Sequence, residues 1–367
     1  MDSAPAVESD LAPERAELRA WLEDHPAPTG RQLAERGLVA PHWPAPWGLG
    51  ADPALQLVVD EELRRAGVRR PENTIGIGWA GPTLLHAGTA EQQDRFLMPL
   101  LAADEIWCQL FSEPGAGSDL ASLTTRAELD GDEWVVQGQK VWTSYAHRAQ
   151  FGILLARTEP DAPQHQGITC MVIDMHAPGM EVRPLRELTG GEAFNQEFLD
   201  NVFVPDRDVV GEVNRGWAVA RTTLGNERVS LGTDHRVDDL LSSVRAEDLE
   251  DRSVAIDLGA LLAEAHTIAV VNLRRATRAV IGADPGAEGN ITKLVNAEHA
   301  QRAAELGLRL QGAAGVFADG PAIRVIDTRA LTIAGGTSEI VRNTIAERLL
   351  GLPRDPRPAG PGDRAAR

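Results

Sequence analysis

The chain has 367 residues, of which 43% are apolar and 25% charged, a composition typical of a folded protein with two or three domains. Its formal net charge of −18 repels nucleic acid and anionic membranes, so a function in binding either is disfavoured. Two cysteines, Cys108 and Cys170, are too few for a disulfide framework, and we expect buried thiols. The acidic N-terminus has no signal-peptide core and no run of 18 apolar residues occurs, so we expect a cytoplasmic protein without a membrane segment.

The first stretch, residues 1–105, has the signals of helices separated by loops rich in proline and glycine. Asp52 and Pro53 suit the N-cap and first position of a helix, and Gly67 suits its end. The sequence therefore predicts a helical N-terminal domain.

One formal motif in this stretch is rejected on its context. Gly76, Gly78 and Gly81 spell G-x-G-x-x-G, the dinucleotide-binding fingerprint. That fingerprint needs a buried strand before it, and the preceding RRPENT cannot form one. Close helix packing is the better interpretation of these glycines.

The second stretch, residues 106–213, changes to a period of two, which predicts a middle antiparallel β domain. Asp130 and Gly131 separate two strand-like runs and predict a hairpin. Further strands are predicted at 151–157, 168–175 and 197–204, the last closed by Pro205.

The third stretch, residues 214–352, returns to helical patterns, with long apolar segments at 254–281 and 288–313. Thr337 can cap a last helix. The tail 353–367 is rich in proline, glycine and arginine, and we expect it to be disordered. The predicted fold is therefore α+β, in the order helical, β, helical.

Two short segments carry the candidate chemistry. QLFSEPGAGSD (109–119) contains a tight glycine-rich loop with Ser112 and Ser118 beside it, but it lacks the lysine of a phosphate loop. KVWTS (140–144) places Trp142 at a strand end, where it could cover a flat heterocycle or simply be a core tryptophan. Either segment alone is more often structural. Lysine occurs only at Lys140 and Lys293, which indicates a GC-rich genome more than a requirement of binding.

Five motifs together resemble the acyl-CoA dehydrogenases, flavoproteins of fatty acid and lipid metabolism. In the family's order, over residues 10–352, they are EPGAGSD, GQKVWTS, GITCMVIDM, FNQEFLDNVFVP and GGTSEIVRNTIAERLLG. The resemblance implies a helical N-terminal domain, a middle β domain and a C-terminal four-helix bundle. It also implies FAD at a subunit interface, an acyl-CoA substrate and electron-transfer flavoprotein as the acceptor.

The resemblance also implies roles for individual residues. Ser112 would hydrogen-bond the isoalloxazine edge, Trp142 would pack on the flavin face, and Ser144 would lie near its N5 atom. Ser118 would contact the pantetheine arm of CoA. Further residues implied for FAD binding are Gln109, Leu110, Thr337 and Glu339. No metal site is predicted.

The catalytic base is displaced from its commonest position. Many family members carry it just before the G-T-S of the C-terminal motif, where this chain has Gly335. Another branch uses a glutamate on the first helix of the C-terminal domain, and Glu227 followed by Arg228 matches that position. The resemblance thus implies Glu227 as base with Arg228 beside the substrate. Without it, two surface charges on an amphipathic helix would be the preferred interpretation.

A second departure concerns the part of the FAD site that would hold the adenine end of the cofactor. The family's Arg-Phe-Gly motif is missing after that helix, where Arg236 lies, and Arg309 falls about where a glutamine is usual. A partner chain could supply what is missing, so we hypothesise a catalytic subunit of an α₂β₂ assembly. The alternatives are a flavin oxidase or monooxygenase on the same fold, and a non-catalytic partner subunit.

Overall fold

The computed structural model describes residues 11–231, 237–280, 288–317 and 320–354, without the side chains of 226–231, 238–239, 273, 275–280 and 288. The chain divides into two compact units, residues 1–230 and 231–367.

The first unit begins with helices. They are α1 (Ala12–Asp24), α2 (Gly30–Glu35), α3 (Pro53–Arg65), α4 (Gly81–Ala87) and α5 (Ala90–Ala102). Helix α3 starts as predicted, because the Asp52 carboxylate accepts a hydrogen bond from the Leu55 amide at 2.9 Å and Pro53 follows it. Gly67, at φ 69°, lies just beyond its end.

The G-x-G-x-x-G segment is helical, which confirms that it is no dinucleotide fingerprint. Gly76–Ala80 forms one π-helical turn that runs directly into α4. A Cβ at Gly81 would come within 2.2 Å of the Trp43 ring. This glycine is therefore required for close packing, as predicted.

One sheet of eight strands follows. They are β1 (Trp107–Leu110), β2 (Arg126–Asp130), β3 (Glu133–Ser144), β4 (Phe151–Arg157), β5 (Ile168–Asp174), β6 (Met180–Pro184), β7 (Phe194–Pro205) and β8 (Val209–Val210). The order is β6-β7-β3-β2-β4-β5-β8, and β1 lies parallel to β4. The predicted hairpin is confirmed as β2–β3. Strands β1, β6 and β8 were not predicted, because two to five residues are too few to show a period of two.

Successive residues of the strands face two different cores. Trp107 and Ile153 pack with Leu97 and Leu101 of α5 on one face of the sheet. Cys108 and its neighbours on β4, β5 and β7 pack on the other face. Both cysteines are free and buried, as expected. Helix α6 (Gly216–Leu231) then begins after β8.

The described elements of the second unit are all helical. Its helices are α7 (Val237–Ser243), α8 (Arg252–Val280), α9 (Glu288–Leu310), α10 (Gly320–Asp327) and α11 (Ser338–Arg348). Its core includes Leu258 of α8 and Leu306 of α9. Thr337 caps α11 as predicted, since its hydroxyl accepts the Ile340 amide at 3.3 Å.

One segment of α8 is apolar enough to cross a membrane by length and composition. This segment is Arg252–Asn272, which has a mean hydropathy of 1.7 and is 22% buried in its most apolar part. A helix of a soluble bundle can have the same composition, so this single segment carries no assignment.

Candidate functional site

The glycine-rich motif forms a tight loop that follows strand β1. The backbone groups of Glu113 and Ala116 exchange two hydrogen bonds of 3.0 Å, which closes the turn around Pro114. A Cβ added at Gly115 or Gly117 would meet nothing within 4 Å. Packing within the described chain therefore does not require glycine there, whereas a ligand lying close to the backbone would.

Ser112 is held in register with the end of strand β3. Its carbonyl oxygen accepts a hydrogen bond from the Val141 amide at 3.0 Å. Ser112 is half-buried, and so is Ser144 at the end of β3. The fold thus joins the two segments that the sequence singled out, although nearly thirty residues separate them.

Trp142 lies at an irregularity of β3. The register with β7 slips between Val141 and Thr143, and Trp142 itself has φ 64°. A tryptophan in this left-handed region is strained by about 1–2 kcal/mol. Its ring is 61% exposed, with an edge contact to Phe194 at 6.1 Å between centroids. The register slip and the left-handed backbone at Trp142 thus present a large flat ring outward, which excludes the core-tryptophan interpretation.

A buried ion pair lies directly behind this loop. The Lys140 ammonium donates to Glu113 Oε1 at 2.9 Å and to the Phe111 carbonyl at 3.0 Å. The other donors to the Glu113 carboxylate are the Thr124 amide and hydroxyl and the Thr125 amide, at 2.7–2.8 Å. Lys140 is fully buried and Glu113 nearly so.

These contacts decide the charge state of the pair. Burial would raise the pKa of Glu113, but the Lys140 charge and the hydrogen bonds from Thr125, Thr124 and Lys140 outweigh it and hold the pKa at about 2. Burial lowers the pKa of Lys140 to about 8, against the opposing effect of Glu113. Both groups are therefore charged at pH 7.

A second buried carboxyl supports β3 from strand β7. The Thr143 hydroxyl donates to Glu197 Oε2 at 2.7 Å, and the Asn195 side-chain amide donates to the Thr143 carbonyl at 2.9 Å. Burial raises the pKa of Glu197 to about 7, although Thr143 and the Lys140 charge oppose that rise. Neither of these contacts could be read from the sequence. The available signal was a charged residue inside a strand-like run, at Lys140 and again at Glu197.

The remaining predicted residues of the first unit occupy varied positions. Leu110 is fully buried, so only its backbone is available to a ligand, while Gln109 is half-buried and Ser118 is exposed. Glu227 and Arg228 fall within α6 by their backbone, but their side chains lie outside the described residues. Arg236 lies outside them altogether.

In the second unit, a buried lysine supports the loop before α11. Lys293 of α9 is 1% exposed and donates to the Gly336 carbonyl at 2.5 Å. Gly335 and Gly336 have φ 66° and 94°, a conformation that favours glycine. Thr337 is half-buried and Glu339 is exposed in the first turn of α11. Hydrogen bonds from the backbone amide of Glu339 itself and from Thr337 lower the pKa of the Glu339 carboxyl.

The order along the chain of a helical region, a β sheet and a helical unit defines the class as an α+β protein. Three domain families match, described as the N-terminal, middle and C-terminal domains of acyl-CoA dehydrogenase, over residues 4–104, 108–202 and 214–350. The chain belongs to the acyl-CoA dehydrogenase family, enzymes that oxidise acyl-CoA thioesters.

Individual relatives agree with this assignment. The acyl-CoA dehydrogenase FadE34 of Mycobacterium tuberculosis is 50% identical over 326 residues, which are 88% of this chain and 46% of that protein. This chain thus spans about half the length of that relative. A structure described as the Tcur3481-Tcur3483 steroid ACAD has a TM-score of 0.79 at 31% identity, covering 97% of this chain and all of that one. The ChsE4-ChsE5 complex from Mycobacterium tuberculosis gives 0.78 at 29%, with the same coverage.

Proposed function

We propose that this protein catalyses the FAD-dependent α,β-dehydrogenation of an acyl-CoA thioester to the trans-2-enoyl-CoA, with Glu227 as the base that takes the α-proton. The observation that carries the proposal is the packing of α6. Its residue Thr223 is fully buried, with its hydroxyl 2.8 Å from that of Thr83 on α4. Position 227 follows one helical turn later and shares that face of α6.

The sequence supports the same assignment because the alternative position for the base is occupied by glycine. The position that carries the base in many relatives is Gly335, which has no side chain to offer. Hydrogen bonds to the thioester oxygen would acidify the α-proton that this base takes.

The residues present fit FAD. The exposed Trp142 ring suits the flat face of the isoalloxazine, and the open space at Gly115 and Gly117 lets a ligand reach the backbone. Ser112 and Ser144, both half-buried, offer hydroxyls at its edge. Thr337 and Glu339 are proposed to contact its ribose and pyrophosphate part, and Ser118 the CoA arm. FAD, when bound, supplies the acceptor for the β-hydride.

The decisive test is Glu227→Gln. The purified variant should keep the visible flavin spectrum of the wild type but lose turnover, because the amide cannot accept the α-proton. Glu212→Gln is the matched control, since Glu212 is an exposed carboxylate just before α6 and should show wild-type activity. Unchanged turnover in Glu227→Gln would place the base elsewhere.

The assay also separates the neighbouring chemistries on this fold. Anaerobic bleaching of the flavin by a panel of short, branched, long and ring-bearing acyl-CoAs identifies the substrate, and the similarity to a steroid enzyme puts ring-bearing thioesters first. Electron-transfer flavoprotein is the proposed acceptor. Oxygen consumption faster than the reduction of an artificial acceptor would instead indicate an oxidase.

We further propose a second acyl-CoA dehydrogenase-like chain as partner, in an α₂β₂ assembly. Three observations support it: the missing Arg-Phe-Gly motif, a similar chain from a two-component complex, and a relative about twice as long. Helix α8 also carries exposed apolar side chains that a partner would cover, namely Ile256, Leu262 and Val270. Purification of this chain alone as a homo-oligomer with full flavin occupancy would contradict the proposal.

A further inference from the structure

The two lysines of this chain share an unusual environment. Lys140 and Lys293 are the only lysines among 36 lysine and arginine residues, and they are 0% and 1% exposed. Each donates to a backbone carbonyl of a glycine-rich segment, that of Phe111 or Gly336. A general bias toward arginine explains why the exposed cations are arginines, but it does not explain why these two buried cations are lysines.

The chemistry of the two side chains explains the exception. A guanidinium is a wide planar fork with five donors, whereas an ammonium is a compact group with three donors. A closed site with one carboxylate oxygen and one carbonyl oxygen suits the ammonium. Lys140 fills such a site, at 2.9 Å from Glu113 and 3.0 Å from Phe111.

Lys140 forms hydrogen bonds to the residues on both sides of Ser112. It bonds the carbonyl of the preceding residue, Phe111, and the side chain of the following residue, Glu113. The residue after it, Val141, donates its amide to the carbonyl of Ser112 itself. Three consecutive residues of the loop are thus fixed to two consecutive residues of β3, immediately before Trp142.

Stability alone is a weak reason for such a pair. Replacement of a buried ion pair by apolar residues of similar volume is often neutral or stabilising, whereas removal of one partner leaves a buried charge and is strongly destabilising. The geometry that the pair imposes on Ser112 and Trp142 is therefore a better reason for its presence than stability.

We propose that Lys140, together with Glu113, is a positioning residue for the flavin: it fixes the distance between Ser112 and the Trp142–Ser144 strand end. The proposal rests on the proposed function, because it presumes that FAD binds there. Lys140 is fully buried, so it acts on the flavin through these backbone contacts and not by contact of its own side chain.

The test uses two variants, each studied in whichever assembly gives the wild type its full flavin occupancy. Lys140→Met leaves the Glu113 carboxylate buried without its cation and should lower the melting temperature of the apoprotein. Lys140→Met combined with Glu113→Gln leaves no buried charge and should recover part of that loss, although the glutamine Nε2 then faces one of the Thr124 and Thr125 amide donors. This double variant does not restore the donor to Phe111, so FAD should still bind at least tenfold more weakly and its visible absorption band should shift.

Glu62→Gln is the matched control. Glu62 is 1% exposed and ion-paired with Arg15, Arg19 and Arg65 in the N-terminal helices. Its replacement by glutamine should therefore lower stability without changing the flavin loop. Its FAD dissociation constant should equal that of the wild type.

The outcomes separate the two proposals. If the double variant binds FAD as tightly as the wild type with the same visible spectrum, Lys140 has only a structural role and the inference is overturned. If the wild type itself binds no FAD, the proposed function fails and this role fails with it.

Discussion

Replacement of Glu197 by glutamine should change how the stability of the protein depends on pH. Glu197 is fully buried on β7, where Oε2 accepts the Thr143 hydroxyl and Oε1 has no hydrogen-bond partner among the described residues. Burial raises its pKa from an ordinary value of 4.5 to about 7. In the native protein the carboxyl is therefore neutral over a range where the unfolded chain is already ionised.

The size and sign of the effect follow from proton linkage. Because the native state binds the proton more tightly, this group stabilises the fold below pH 4.5, and the stabilisation is lost as pH rises toward about 7. At about 1.4 kcal/mol per pKa unit, the loss over that window amounts to about 3 kcal/mol. Glutamine is neutral throughout, so Glu197→Gln removes the loss.

Other groups titrate in the same window, so the difference between variant and wild type is the quantity to measure. Burial lowers the pKa of His42, and its contribution therefore has the opposite sign. It cancels when urea unfolding of the wild-type and variant apoproteins is compared at pH 5 and pH 8. The variant should gain about 2.5 kcal/mol relative to the wild type between these two pH values, because at pH 5 the unfolded carboxyl is already mostly ionised.

A matched control and a clear refutation are available. Hydrogen bonds from Arg19, Arg15 and Arg65 hold the pKa of Glu62 at about 2 against the effect of its burial, so the titration of Glu62 lies below this window. Glu62→Gln should show the same difference from the wild type at pH 5 and pH 8. If Glu197→Gln behaves in the same way, the Glu197 carboxyl is ionised in the native protein and the reasoning is wrong.

Two further predictions concern backbone geometry. Trp142→Gly relieves the φ 64° strain but loses the Phe194 contact, so apoprotein stability should stay within about 1 kcal/mol while FAD affinity falls, as titration of the apoprotein would show. Gly81→Ala forces a methyl group to within 2.2 Å of Trp43 and should cost about 1–3 kcal/mol in urea unfolding. Gly225→Ala, where nothing lies within 4 Å, should be neutral or stabilising, and an equal loss in both would refute the packing argument.

Local signals in the sequence were sufficient for much of the fold. The Asp52 cap, the Thr337 cap and the Asp130–Gly131 turn depend on residues within three or four positions of each other, and all three form as predicted. The long apolar strands were also predicted correctly, because a continuous run of apolar residues indicates a strand that is buried along its whole length. The order helical, β, helical was also predicted from the residue patterns, and the family resemblance agreed with it.

Periodicity failed where the strands are irregular. In β7 every second residue is buried up to Leu199, but the alternation slips at Asn201, which has φ 53°. The same slip occurs in β3 at Trp142. A change of register moves all later side chains to the opposite face, so the sequence pattern alone could not show that Trp142 is exposed.

The amino-acid sequence by itself determined the long strands, the helix caps, the hairpin turn and the two motif segments, because these depend on neighbouring residues. The tertiary structure alone decided that Lys140 meets Glu113 across 27 positions, and that Thr143 meets Glu197 across 54. Such pairings arise from the strand order β7-β3 and from the packing of the loop after β1, and burial then sets the charge of each group. A charged residue in a strand-like run looks the same in sequence whether it faces water or a buried partner.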